Sequence, residues 1–256
     1  MKRLMMIAAV AALACDAFAA APSAAKAAAN DPELAAKREA ARLRRAQRVV
    51  CPDSQKGVVK FVNTQSKVGN APLEAAVQGL YKECKLKYEV CTGDPVTPAT
   101  ATAAMKKAGA NLAVFVVSDP DLPVTVVAPE ARWAIVNVDA LAADGTGGAK
   151  LDTRVLRFVH RSFLAAAGAM HSQFPGNVLA TDDLREIDAL EEAFIPIDVQ
   201  QKIDMALPKA GLTPLRVVRY SQACREGWAP APTNDIQRTI WNETHELPKN
   251  PLKLEK

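Results

Sequence analysis

Apolar and polar positions alternate along this chain with two distinct periods. Residues 57–63 (GVVKFVN) are a short apolar run between polar flanks and predict a strand. From Pro72 to Cys84, Leu73, Val77, Leu80 and Tyr81 recur at three- and four-residue spacings, which puts them on one face of a helix. Residues 85–91 (KLKYEVC) alternate and predict a second strand. A second helix is expected from Thr97 to Ala108, stopped by Gly109. Residues 111–117 (NLAVFVV) are continuously apolar, as a strand buried on both faces must be. Two more strands are expected at 123–127 and 132–138, then a loop at 145–148 (GTGG) and a long helix over about 152–167. The order strand, helix, strand, helix, strand, strand, strand predicts an α/β (α+β) fold with a mixed, twisted sheet.

Beyond the long helix the pattern becomes helical and less regular. Helices are expected at 181–193, 197–210, 213–225 and 235–246, with a proline-rich connection WAPAPTN at 228–234 and an extended tail LPKNPLKLEK. No internal repeat and no further transmembrane segment is expected from the sequence. The expected organisation is a segment 1–19, a linker and basic helix 20–50, and one domain 51–256 with a mostly helical C-terminal part.

The first segment changes the picture most. Lys2 and Arg3 precede an apolar run, Leu4 to Ala14, and Ala17-Phe18-Ala19 has the small-x-small form of a cleavage site. This predicts a secretion signal and a periplasmic or secreted protein. Leu13-Ala14-Cys15 offers lipidation at Cys15 as an alternative, and an uncleaved anchor is a third. The chain is 49% hydrophobic with 5% aromatics, so its core is expected to be aliphatic. Its net charge of +4 is unevenly spread: Lys37, Arg38, Arg42, Arg44, Arg45 and Arg48 outweigh Asp31, Glu33 and Glu39, while residues 49–256 sum to −1. A domain that binds nucleic acid needs its basic face on the fold itself, so none is expected here. The basic helix, which Asp31-Pro32 is expected to start, is solvated, lies on the domain, or is drawn to an anionic surface or partner.

Four cysteines remain beyond the first segment: Cys51, Cys84, Cys91 and Cys224. In an exported protein these are candidates for disulfides, and Cys84 and Cys91 are near enough in sequence to staple a helix end to a strand. Free buried thiols are the alternative. No CxxC spacing suggests a zinc site among them.

The candidate chemistry lies in RSFLAAAGAMHSQFPGNVL, residues 161–179. Gly168-Ala-Met-His171 has the spacing that closes the metzincin motif His-Glu-x-x-His-x-x-Gly-x-x-His, in which three histidines hold zinc and the glutamate is the general base. The other positions hold Arg161, Ser162 and Ala165. The order of strands and helices before this helix, the strand NLAVFVVSDPDL, and the downstream spacing together resemble the archaemetzincins over roughly residues 55–210. That resemblance implies a zincin-like fold. It also implies that a second zinc site's four cysteines are replaced by Ser172, Asn177, Ile197 and Gln200, and the methionine beneath the metal by Leu179. Every departure falls on the chemistry, so no zinc or other cofactor is expected.

Other chemistries find less support. His160 and His171 would stand about 16 Å apart on a straight helix, too far to share a metal ion. His171 is expected as a hydrogen-bonded histidine at the helix end and His160 as a partly exposed one. No GxSxG elbow or phosphate loop is present, and Asp182-Asp183 and Glu191-Glu192 are expected as capping or solvated carboxylates. Trp133, Trp228 and Trp241 are expected in packing roles. The resulting expectation is a non-catalytic binding or scaffolding protein that holds an extended peptide or protein partner in the former substrate cleft, beside the edge strand at 123–127. A divergent metallopeptidase or hydrolase using other ligands is the alternative, and a structural envelope protein docked by its basic arm is a third.

Overall fold

A computed structural model describes residues 32–181, 183–190 and 195–246. The signal-like segment with Cys15, the linker through Asp31, Asp182, Glu191, Glu192 and the tail from Leu247 lie outside the described residues. The chain divides into two compact units, residues 50–216 and residues 1–49 with 217–256.

The larger unit is built on five strands: β2 (Val59–Asn63), β3 (Tyr88–Thr92), β4 (Leu112–Val117), β5 (Thr125–Ala128) and β6 (Trp133–Asn137). Their spatial order is β3-β2-β4-β6-β5; the first four are parallel, and β5 runs antiparallel to β6 at the edge. The all-apolar β4 is buried at every position because it lies at the centre with both faces covered. On one face Val114, Val116, Ala134 and Val136 meet α2 (Ala71–Cys84) and α5 (Gly148–Ala166). On the other, Ala113, Phe115, Val117 and Ile135 share a core with Ala101 and Met105 of α3 (Ala101–Lys107). Phe61, Tyr88 and Phe163 join sheet to helix, with ring centroids 5.9–6.4 Å apart. Gly57 cannot be replaced freely: its φ is +74° and a Cβ would stand 2.4 Å from the Gly211 carbonyl oxygen.

The connection into the edge strand depends on Asn137, which is fully buried at the end of β6. Its Oδ1 accepts from the Asp119 and Asp139 amides, and its Nδ2 donates to the Asp119 and Leu122 carbonyls. One side chain thus holds the loop from β4 to β5 and starts the short helix α4 (Val138–Leu141). After α5 come α6 (Leu184–Asp188) and α7 (Ile197–Ala206), followed by a single 3₁₀ turn at Pro208–Ala210. Proline at 208 and Gly211, at φ +69°, end what the sequence pattern reads as one helix to 210.

The smaller unit contains α1 (Pro32–Ala46), the first two residues of β1 (Arg48–Val50), β7 (Val217–Arg219), α8 (Tyr220–Glu226) and α9 (Asp235–Glu246). The expected helix at 213–225 is corrected to strand β7 followed by α8. Val217 and Val218 are β-branched and find a distant partner in Arg48–Val50, which outweighs the local helical pattern. Residues 217–246 also group with α1 rather than with the sheet. The Tyr220 amide donates to the Gln47 carbonyl (2.5 Å), and the Gln237 and Asn234 side-chain amides donate to the Ala46 carbonyl (2.8 and 3.2 Å). No helix of the described residues is long and apolar enough to cross a membrane.

Candidate functional site

Helix α5 carries the positions singled out by the motif. Its apolar residues Leu151, Val155, Val159, Phe163 and Ala166 face the core. The helix ends where Gly168 takes φ +95°, and the Ala169 amide folds back to the Leu164 carbonyl at 2.9 Å. Glycine therefore does here what the motif requires of it, turning the chain back after the helix.

The remaining motif positions form no donor set. Arg161 is half-buried, Ser162 is buried, Ala165 is 4% exposed, and His171 is exposed. The imidazole of His171 has no hydrogen-bond partner among the described residues; its backbone carbonyl accepts from Lys202 Nζ at 3.0 Å. That corrects the expected hydrogen-bonded histidine, because the chain here lies on the surface beyond the helix end. His160 also departs from expectation: it is 2% exposed and its Nε2 has no partner. Desolvation lowers its pKa to about 4. Ser162 Oγ is likewise buried without a partner. Among the described residues, no three His, Cys, Asp or Glu side chains gather as a metal shell would.

What the helix presents instead is arginine. Arg154, Arg157 and Arg161 are spaced i, i+3 and i+7, so they lie along one stripe. Arg154, with its side chain 2% exposed, donates Nη1 to the Leu141 carbonyl (2.5 Å), Nε and Nη2 to Asp188 (3.0 and 2.5 Å), and both Nη atoms to Asp144 (3.2 and 3.1 Å). These charge-assisted bonds hold the Asp144 and Asp188 carboxyls below the ordinary carboxylate range. Arg157 donates to the carbonyls of Ile187 (2.7 Å), Asp188 (2.8 Å) and Leu190. Arg161 donates Nη1 to the carbonyls of Val178 (2.7 Å) and Thr181. Three guanidinium groups therefore bind the returning chain to the helix, and the one at the first ligand position grips the segment that follows His171.

The positions corresponding to a second metal site are also engaged in ordinary hydrogen bonds. Ser172 Oγ accepts from the Phe174 amide and donates to Asp198 Oδ1, both at 3.2 Å. Asn177 Oδ1 accepts from the Leu179 amide at 2.8 Å, and its Nδ2 donates to the Phe174 carbonyl. Ile197 is 69% exposed at the start of α7, and Gln200 Nε2 donates to Asp204. Leu179 is buried in the core. An open cleft of about 270 Å³ lies along this loop, lined among others by Ser172, Asn177, Thr181 and Glu186. It follows His171 in sequence and includes no residue of β5, whereas β5 lies at the sheet edge and, among the described residues, pairs with β6 alone.

The other candidates are placed as follows. Cys51, Cys84, Cys91 and Cys224 are free thiols, and burial pushes Cys84 up to about 12. Asp183 caps α6 by accepting from the Arg185 amide at 2.7 Å. Trp133 is buried and donates to Thr102, Trp228 donates to Glu226, and Trp241 stacks on His245 at 4.0 Å between centroids.

A parallel sheet with one antiparallel edge strand, followed by a helix that ends in a glycine turn and a histidine, defines a zincin-like scaffold. The chain has an archaemetzincin-like fold. It is similar to an archaemetzincin from Methanopyrus kandleri, 13% identical, with a TM-score of 0.50 over 61% of this chain and 98% of that one. It is also similar to a zinc-dependent peptidase from Methanocorpusculum labreanum, 13% identical, with a TM-score of 0.43 over 57% of this chain and all of that one. No protein-family model and no curated protein matches the sequence. At such identities the likeness speaks of the fold alone.

Sequence reasoning missed the arginine clamp. Its signal was present as R-x-x-R-x-x-x-R at 154–161, but charged residues on a helix read first as a solvated face.

Proposed function

We propose that this chain is an exported, non-catalytic archaemetzincin-like protein with a binding or scaffolding role. The observation that carries the reading is Arg161. At the first ligand position stands a permanent cation whose Nη1 is committed to the Val178 and Thr181 carbonyls. A positive charge there opposes a divalent cation, and Ala165 one turn on supplies no donor atom. His171 would be left as a single ligand, and Ser162 supplies no carboxylate to act as general base. The donor set does not fit zinc. Export is supported by the Lys2–Ala19 pattern. Binding is supported by β5, a sheet edge with one side unpaired among the described residues, onto which an extended peptide would add by backbone hydrogen bonds.

Elemental analysis of the purified chain, repeated on His171→Ala, tests the non-catalytic reading. The expected result is no stoichiometric zinc in either sample and no cleavage of a fluorogenic peptide mixture. One equivalent of zinc that disappears with His171→Ala would instead establish a divergent metallopeptidase. For the binding role, a peptide selected from a random display library should slow amide exchange within 125–128. Slowing confined to other segments would move the binding site away from the edge.

A further inference from the structure

We propose that helix α7 is a docking surface for a second copy of this chain, laid antiparallel to it about a two-fold axis. The sequence of the helix, IDVQQKIDMA, divides into three stripes. At about 100° per residue, Val199 and Ile203 fall together, and both are fully buried in the core. Asp198, Lys202 and Ala206 form a second stripe, which lies on the chain that follows α5. Asp198 Oδ1 accepts from Ser172 Oγ at 3.2 Å, Lys202 Nζ donates to the His171 carbonyl at 3.0 Å, and a Cβ on Gly168 would stand 3.7 Å from that of Ala206. The third stripe is Ile197, Gln201 and Met205, spaced i, i+4 and i+8 within an arc of about 80°. Here Ile197 and Met205 are each 69% exposed. The loop against the second stripe adds Met170 and Phe174, at 42% and 48%. Four large apolar side chains thus stand in water on one helix and the loop beside it, where single scattered ones are the ordinary case.

The occupant is indicated by the helix itself, whose pattern is complementary to its own reverse. With the two-fold axis at Gln201, Ile197 of each copy meets Met205 of the other, and the two Gln201 amides meet across the axis. Such an axis keeps each flank of the helix on its own side. Asp198 of each copy therefore comes within reach of Lys202 of the other, and on the opposite flank Gln200 comes within reach of Asp204. Both members of the charged pair have capacity left: Asp198 Oδ2 has no partner among the described residues, and Lys202 keeps two further protons. The loops also fall on one side of the axis, which brings Met170 and Phe174 of the two copies together. With Asp198, Asp204 and Lys202 the helix carries −1, which disfavours an anionic lipid or a nucleic acid on this face. An isologous contact closes on itself as a dimer. This one is small, a helix of 10 residues and one loop from each side, and so belongs with weak, concentration-dependent dimers. It uses no residue of β5.

The test is sedimentation equilibrium of the purified full chain over about a hundredfold range of concentration. The average mass is expected to rise from that of one chain to twice that and no further. Met205→Asp sets a charge against Ile197 of the other copy, twice in each dimer, and should raise the dissociation constant about a hundredfold. Lys202→Asp should raise it about tenfold. Adding Asp198→Lys to Lys202→Asp should recover most of that loss, which a purely structural role of either residue would not allow. Circular dichroism of each variant at the dilute end should match the parent, since Met205 and Lys202 are exposed. A mass that stays at one chain throughout would overturn the proposal. So would a dimer indifferent to Met205→Asp, because its contact would lie elsewhere. Uptake of a strictly monomeric chain by phosphatidylcholine vesicles, abolished by Met205→Asp, would overturn it in favour of lipid.

Discussion

The two faces of helix α5 solve the same problem by different means. The face toward the sheet is held by Val155, Val159 and Phe163, each fully buried against aliphatic and aromatic neighbours. The face toward the returning chain is held by Arg154, Arg157 and Arg161, which donate to carbonyls and carboxylates. The first attachment is non-directional and additive, spread over many small contacts. The second depends on a few charge-assisted bonds with fixed geometry, and each loss leaves a buried or half-buried partner unsatisfied. The helix is joined to the chain that follows it by guanidinium groups. The joint is as specific as a coordination sphere but is made from one side chain at a time.

That contrast can be broken most severely at Arg154. Arg154→Ala removes the buried cation bonded to Leu141, Asp144 and Asp188, leaves Asp188 with Lys150 Nζ at 3.4 Å, and should cost about 3–5 kcal/mol in a denaturant melt. Loss near 1 kcal/mol would mean that this face is a solvated surface after all. The pH dependence sharpens the same comparison through His160, which lies on α5 outside the arginine stripe. Its pKa falls from 6.5 to about 4 on folding, so the unfolded chain takes up the proton first. Its contribution is therefore complete above pH 6.5 and is lost as pH falls toward 4, by roughly 3 kcal/mol in all. His160→Leu should flatten stability over that window; an unchanged slope would place the titration elsewhere. The smallest effect is expected at Arg161. Arg161→Ala should leave global stability within about 1–3 kcal/mol of the parent, since its bonds are charge-assisted but partly exposed. Exchange of the Leu179 and Ala180 amides should accelerate at least tenfold while those of β4 stay protected. Acceleration throughout the sheet would show that the clamp supports the whole unit, not the loop.

The sheet was legible because its strands are short, apolar and separated by clear helical or turn signals. Residues 111–117 could be nothing but a central strand, and Gly168 could be placed at a helix end from spacing alone. What escaped was whatever depended on a distant partner. Val217–Arg219 is three residues long and becomes a strand only beside Arg48–Val50. His160 reads as half-exposed from the helix alone but is buried once the chain folds back over α5. Arg157 and Arg161 show the same limitation more sharply, since their partners are backbone carbonyls, and a carbonyl leaves no trace in the residue alphabet.

Those carbonyls have a consequence for acid tolerance. A joint made of metal and imidazole dissolves when protons compete for the ligands, because each histidine must be neutral to bind. Guanidinium stays charged throughout that range, and a peptide oxygen does not titrate. The contacts made by Arg157 and by Arg161 Nη1 with backbone oxygens therefore keep their chemistry at any mildly acidic pH. Among the contacts of these three arginines, those of Arg154 with the carboxylates of Asp144 and Asp188 are the ones that protons can act on. Acid would unfasten this seam from one end, starting where α6 meets the helix and leaving the turn after His171 until last.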